Sequence, residues 1–318
     1  MNSIANKVIA FEAFGLNILS EIPLKELSQR LVDQTSIDIC IKEKCLKNQW
    51  NTLDDQENAF VITEDKVMFE VPNVAIFSVE NGNSIYVTPL KDYDEDVVRL
   101  YLLGTGMGTI LLQRKSLPLH GSALEFEGKA IAIVGDSGAG KSTTASALMK
   151  EGFNLLSDDV IALALTDDMD VMVTPAYPQQ KLWIESIEHL GMSTNNYRSI
   201  YGRETKFNVP VNEQFVNRTI PLYGIFELVK SSTNEEVEFK KLDKLESFYS
   251  IYSNTFRNFL IRPLHLLDWH FEFSAKILDR VPTYKLVRPD NQSYSVNKLL
   301  SIILQNVKEE GGVNDVNK

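Results

Sequence analysis

Chemistry in this chain is concentrated in one short stretch. Gly135, Asp136, Ser137, Gly138, Ala139, Gly140, Lys141, Ser142 and Thr143 follow one another between an apolar run, Ala130 to Val134, and a segment of helical spacing, Lys141 to Glu151. The order is G-x-x-x-x-G-K-[ST], in which glycines let backbone N–H groups converge on phosphate oxygens. Lys141 then reaches the β and γ phosphates of a nucleotide, and the Ser142 hydroxyl serves as a ligand of Mg²⁺. Asp158 and Asp159 follow Lys141 by 17 and 18 residues, at the expected close of the next strand. From there one carboxylate, Asp158, can hold the metal while the other accepts a proton from an attacking hydroxyl. His120, 15 residues ahead of Gly135, begins a strand expected to pair with the loop strand through the turn Glu127, Gly128, Lys129.

The elements that must position these groups read as strand (Ser122 to Phe126), turn, strand (Ala130 to Val134), glycine loop, helix and strand (Phe153 to Ser157), a βαβ-type core. Further strands are expected at Tyr223 to Leu228 and Tyr284 to Leu286, with helices at Leu242 to Ser253 and Val296 to Gln305. Ahead of this core, residues 1–95 alternate over Lys7 to Phe11, Ile37 to Ile41, Phe60 to Thr63, Val67 to Val71, Ala75 to Val79 and Ile85 to Thr88. Leu24, Leu27 and Leu31 have helical spacing, so a helix is expected over Pro23 to Leu31 in a small antiparallel α+β domain. Asp92 to Lys115 predicts a long helix opened by the acids Asp92, Asp94, Glu95 and Asp96. Its Gly104, Gly106 and Gly108 resemble a dinucleotide fingerprint but follow no strand, and are read as close-packing glycines. The division is therefore 1–95, a nucleotide-binding catalytic domain over 96–306, and a loose tail over 307–318.

The 318 residues carry 43 acidic and 32 basic side chains, a formal charge of -11, which disfavours nucleic acid as a partner. A nucleotide is still allowed, because backbone N–H groups and one lysine suffice to hold it. The N-terminal residues lack a signal-peptide pattern, and the apolar run Leu100 to Leu112 is shorter than the ~20 residues of a membrane span. Cys40 and Cys45 read as packing residues of a cytoplasmic protein with no membrane partner.

Taken together, His120-Gly121, the loop Gly135 to Ser142 and Ser157-Asp158-Asp159 resemble the catalytic domain of bacterial HPr serine kinase/phosphorylase. The resemblance implies an α/β fold of the HPr kinase and phosphoenolpyruvate carboxykinase type, with a phosphate-loop kinase core using ATP and Mg²⁺. It further implies that Asp159 or Asp158 is the general base toward an acceptor Ser and that His120 supports it. Thr143 stands where that family has Glu, and the family's second signature loop is absent between Asp159 and Ile220. A wider likeness over Phe14 to Pro23, Arg99 to Gly104, Leu117 to Leu124, Pro175 to Trp183 and Val281 to Leu286 points to the branch of lasso-peptide tailoring kinases. The acceptor implied there is a Ser near the C-terminus of a precursor peptide. HPr kinases assemble as homo-oligomers, and the sequence leaves open whether this chain does.

Tyr177, Lys181 and Trp183 either line an acceptor groove or anchor a β-edge. Arg198, Arg203, Lys206, Arg257 and Arg262 are candidate phosphate clamps that the sequence does not rank. The same residues are compatible with a small-molecule kinase or with a non-catalytic nucleotide sensor. A sensor, however, has no use for a base.

Overall fold

The computed structural model describes residues 7–53, 59–189, 193, 197–200, 203–233, 236–290 and 296–309, without the side chains of 185, 189, 198, 200, 203, 204, 308 and 309. Its first part is a sheet of eight strands: β1 (Lys7–Ala13), β2 (Leu16–Ser20), β3 (Ser28–Asp33), β4 (Ile39–Glu43), β5 (Phe60–Ile62), β6 (Lys66–Val71), β7 (Ala75–Glu80) and β8 (Ser84–Pro89), with a short helix α1 (Lys47–Leu53) between β4 and β5. The spatial order is β3-β1-β2-β4-β8-β7-β6-β5. The β2–β4 and β4–β8 pairs are parallel, so the sheet is mixed rather than purely antiparallel as expected. Asn81 and Gly82, both with left-handed φ, close the β7–β8 hairpin where the Asn-Gly pair predicts a turn.

The helix expected over Pro23 to Leu31 does not form. Leu24 and Leu27 are buried in a tight turn, but Ser28–Asp33 pairs antiparallel with β1 and leaves Leu31 exposed opposite Ile9. The open edge of β1 has backbone donors and acceptors to satisfy, and six residue pairs formed there outweigh a three-leucine spacing.

The predicted long helix runs as α2 (Glu95–Tyr101), a wide turn over Leu102–Gly106, and α3 (Met107–Gln113). Asp94 caps it by accepting from the Asp96 N–H, and the Met107 N–H reaches back five residues to the Leu102 carbonyl. That extra residue in one turn is a π-bulge. The helix lies against the first sheet, and one apolar core joins both to the remainder of the chain: Phe69, Phe77, Leu102 and Ile110 pack with Val160, Tyr177, Phe256 and Leu260.

The second sheet contains β9 (Leu117–Phe126), β10 (Lys129–Val134), β11 (Asn154–Leu165), β12 (Val171–Thr174), β16 (Ile220–Ser231), β17 (Glu238–Lys241) and β18 (Thr283–Pro289) in the order β10-β9-β11-β12-β16-β18-β17. A further parallel pairing of β10 with β16 curls the first five strands into a ring. Helix α4 (Lys141–Lys150) connects β10 to β11, which run parallel with the antiparallel β9 between them, a split form of the βαβ unit. Strands β13 (Gln179–Trp183), β14 (Arg198–Ile200) and β15 (Arg203–Pro210) form a third sheet, with helix α5 (Ile184–His189) after β13. Helices α6 (Lys244–Ser253) and α7 (Leu267–Leu278) cover one face of the second sheet, and α4 with α8 (Val296–Glu309) covers the other. Helix α8 continues past the expected end of the catalytic domain. Val307, placed by the sequence reading in a loose tail, is buried in that core, and residues 310–318 lie outside the described part. Among the described residues no helix is long and apolar enough to cross a membrane.

Candidate phosphotransfer site

The glycine loop turns from the end of β10 into α4. Gly135 has φ +139 and runs against β16 so closely that a Cβ would stand 2.3 Å from the Leu228 carbonyl oxygen, and Gly140, at φ +105, opens the helix. Only glycine is tolerated at both positions. Lys141 is buried, and its Nζ donates to the carbonyls of Gly135 at 2.7 Å and Asp136 at 3.0 Å. Burial lowers its pKa, with Asp158 and Asp159 acting in the opposite direction. Arg288 at the end of β18 braces the loop from behind: its Nε donates to the Ala139 carbonyl at 2.7 Å and one Nη to that of Gly138 at 3.3 Å. No local signal in the sequence marks this residue, which comes from 149 residues away.

Asp158 and Asp159 do not close a strand, as the sequence suggests. They lie in the middle of β11, just beyond a bulge between Leu155 and Ser157, and Asp159 has φ +79. A left-handed residue inside a strand is strained and re-aims its side chain. The two carboxylates consequently serve different neighbours. Asp158 Oδ1 accepts from Ser122 Oγ at 2.5 Å and from Ser142 Oγ at 3.2 Å, and its Oδ2 accepts from the Lys181 backbone N–H at 2.7 Å. Asp159 Oδ2 accepts from Lys181 Nζ at 2.6 Å. One residue of β13 thus clasps both acids.

Burial disfavours the charge of Asp159, but Lys181, His120 and the Lys181 hydrogen bond prevail and hold its carboxyl well below the usual range. Lys181 is pushed the other way: burial opposes its charge, yet Asp159 raises its pKa above that of an ordinary lysine. Tyr177 is buried beside this pair, and burial pushes its phenol up to about 12.

His120 lies on β9 one residue beyond the Gly121–Val134 pair, at the end of the sheet where the loop begins. Its Nδ1–H donates to the Asp159 carbonyl at 3.0 Å and lies 3.6 Å from Asp159 Oδ1. Burial lowers its pKa against the pull of Asp159, so the ring is neutral at pH 7 with Nε2 as an acceptor.

His120, Lys141, Ser142, Asp158 and Asp159 therefore converge, as the spacing predicts. Thr143 does not point into the centre, since its hydroxyl bonds Ser186 Oγ at 2.6 Å and ties α4 to α5. Asp136, Ser137 and Gly138 are exposed at the loop tip. Lys181 belongs to the centre, while Trp183 packs under Lys206 with its ring centroid 5.5 Å from Nζ. Arg262 is exposed, and the side chains of Arg198 and Arg203 fall outside the described part. Sequence reading missed Ser122 and Arg288, which become neighbours of the loop through strand pairing alone.

Hard oxygens of Ser142 and Asp158, 3.2 Å apart beside the glycine loop, suit a Mg²⁺ that takes its remaining ligands from phosphates and water. Among the described residues there is no cluster of three His, Cys, Asp or Glu side chains able to hold a metal by themselves.

Several proteins named HPr kinase/phosphorylase match part of this chain. The HPr kinase/phosphorylase of Bacillus licheniformis is 31% identical over 138 residues, covering 41% of this chain and 39% of that protein. That of Bacillus pumilus is 28% identical over 195 residues, covering 59% and 51%. The Lactobacillus gasseri protein of the same name is 42% identical over 112 residues, covering 32% and 34%. The matched segments thus span about half or less of each relative. The structure of the HPr(Ser) kinase/phosphatase from Coxiella burnetii aligns over 61% of this chain and 97% of that one, at 15% identity and a TM-score of 0.33. Residues 112–248, which contain His120, the glycine loop, both aspartates and Lys181, match the family described as the HPr Serine kinase C-terminal domain.

Proposed function

We propose that this protein is an ATP-dependent phosphotransferase that phosphorylates a Ser hydroxyl of a peptide or small protein. The observation that carries this reading is the division of labour between two adjacent carboxylates, Asp158 bonded to the loop hydroxyl of Ser142 and Asp159 turned away toward Lys181 and His120. A protein that only sensed a nucleotide would require the first of these and not the second. The family match over residues 112–248 and the kinase names of the relatives support the same reaction class.

In this reading the loop N–H groups and Lys141 hold the phosphates, and Ser142 with Asp158 holds Mg²⁺, which when bound neutralises charge on the phosphate oxygens. Asp159 accepts the proton of the acceptor hydroxyl. Lys181 keeps that carboxylate ionised, and the neutral His120 fixes its orientation through the backbone carbonyl. Most of the rate then comes from positioning and charge neutralisation. The narrower acceptor, a Ser near the C-terminus of a lasso-peptide precursor, rests on the sequence resemblance alone.

The test is incubation of the full chain with γ-labelled ATP, Mg²⁺ and a panel of acceptors: HPr, a Ser-containing lasso precursor peptide and simple sugars. Label on a peptide or protein Ser, lost in Lys141→Ala, is the expected result. Label confined to a sugar, or ATP bound without transfer to any member, would overturn it.

A further inference from the structure

Two features play no part in the chemistry described above, although the fold brings both to Asp159. The first is the glycine-rich stretch Gly104 to Gly108, which spans the π-bulge and its exit. A Cβ on Gly104 would stand 4.0 Å from Asp159 Oδ2, so this bulge walls the carboxylate. Gly108 lets a neighbouring segment approach, because a Cβ there would lie 2.6 Å from the Phe256 ring.

The second feature is the residue that follows Phe256. Arg257 has φ +54, a strained backbone for a non-glycine residue, of the kind found where surrounding structure holds a side chain in place. Its Nη2 donates to the buried Thr105 hydroxyl of the bulge at 3.0 Å. The guanidinium lies 5.8 Å from the ring centroids of both Phe256 and Phe60, the latter from the first sheet. Among the described residues this half-buried cation forms no ion pair. Arg99, which is fully buried, is by contrast ringed by Glu26, Glu95 and Asp96. Burial lowers the pKa of Arg257, while Tyr101 and Asp159 act through space to favour its charge. Phe256, the residue before Arg257, lies with its ring centroid 5.9 Å from that of His120, which itself bonds Asp159. A fork of five N–H donors with one donor anchored and no carboxylate partner is matched to an oxyanion.

We propose that Arg257 is a catalytic residue, an acceptor-side clamp for the phosphoryl group as it passes to the acceptor hydroxyl. The proposal rests on the phosphotransferase reading and adds a residue outside the family-matched segment 112–248. In the step concerned, the bond from the terminal phosphorus to the bridging oxygen of ATP breaks and its electron pair leaves with ADP. The acceptor oxygen bonds to that phosphorus, and its proton passes to Asp159. Charge on the phosphoryl oxygens is met by Lys141 from the nucleotide side and by Arg257 from the acceptor side. Thr105 fixes the fork, and the two phenyl rings keep water from it.

The test compares wild type with Arg257→Gln and Arg257→Lys in the full chain, with folding checked by thermal melting. Calorimetry with MgATP and MgADP, ATP hydrolysis with water as acceptor, and capture of ADP with aluminium fluoride are measured on each. Arg257→Gln should bind both nucleotides within about 3-fold of wild type while hydrolysis and fluoride capture fall by ~10²–10³-fold, the range for removal of one transition-state donor. Arg257→Lys should recover part of that loss. Fluoride capture equal to wild type in Arg257→Gln would overturn the clamp, and so would a loss of MgATP and MgADP affinity as large as the loss of hydrolysis, which would make Arg257 a ligand of the nucleotide instead. Failure of the wild-type protein to bind MgATP would strike the phosphotransferase reading itself.

Discussion

Replacing Lys181 with Met would remove the ammonium hydrogen-bonded to Asp159 while keeping most of the buried volume. The Lys181 side chain is 8% exposed and its Nζ is 2.6 Å from an Asp159 oxygen that is itself on a side chain 21% exposed. Breaking such a pair from one side leaves an uncompensated charge, at a cost of about 3–5 kcal/mol in buried settings. The fifth of Asp159 that water still reaches puts Lys181→Met at the lower end, about 3 kcal/mol. Asp159→Asn should cost a similar amount, because it strands the ammonium instead. The double variant strands neither, so it should be more stable than the sum of the singles by at least about 2 kcal/mol. The effect should also depend on pH. In wild type the depressed carboxyl is ionised in folded and unfolded chains alike from pH 7 down to about 4, so its contribution is constant over that range and is lost only below it. In Lys181→Met burial, the largest influence on this carboxyl, meets only the weaker through-space pull of His120 and Lys206, and the pKa should rise above the unfolded value. The folded variant then binds a proton first and regains stability as pH falls from 7 toward 5. Urea unfolding followed by tryptophan fluorescence at pH 7 and pH 5 measures this directly. A single-variant loss under 1 kcal/mol, additive singles, or a difference that does not shrink at pH 5 would each refute the reasoning.

Exchange of either carboxylate separates their roles. Asp159→Asn should cut phosphoryl transfer by ~10²–10⁴-fold with MgATP still bound, whereas Asp158→Asn should weaken Mg²⁺ dependence and nucleotide affinity together; calorimetry beside labelled-ATP transfer reads both, and exchanged phenotypes would reverse the assignment. His270 is fully buried, bonded to Thr255 Oγ1 at 2.8 Å, and burial takes its pKa to about 4. Between pH 6.5 and 4 the unfolded chain therefore takes up a proton that His270 refuses in the folded chain, which should lower stability by about 3 kcal/mol over that window, a contribution that His270→Gln removes in the same unfolding assay. Removal of residues 1–91 should yield insoluble protein rather than a working catalytic unit, because Phe69, Phe77 and Ile85 cover Leu102 and Ile110 in a shared core; a soluble truncated chain with an unchanged melting temperature would contradict this.

The geometry of the glycine loop was legible in the sequence because every requirement for it is local. Positive φ at Gly135 and Gly140, an apolar strand before and a helix after are all encoded within some twenty residues, and the Asn81-Gly82 and Glu127-Gly128 hairpins are visible for the same reason. The aspartate pair could be named from its spacing to the loop, and His120 from the family resemblance of the His-Gly pair. Their roles could not be separated, since the bulge in β11 and the left-handed φ of Asp159 arise from pairing with β9 and not from local preference. Tertiary structure alone brought Lys181 to both acids, Arg288 to the back of the loop, Gly104 to Asp159, and Arg257 to Thr105 beside it. None of these residues carries a local signature, because a lysine or arginine has the same propensities whether it ends in solvent or against a carboxylate. The failed helix at Pro23 to Leu31 has the same cause. Its leucine spacing fits a helix, but the free edge of β1 is a partner that only the folded chain presents, and backbone pairing along that edge is worth more than the spacing of three side chains.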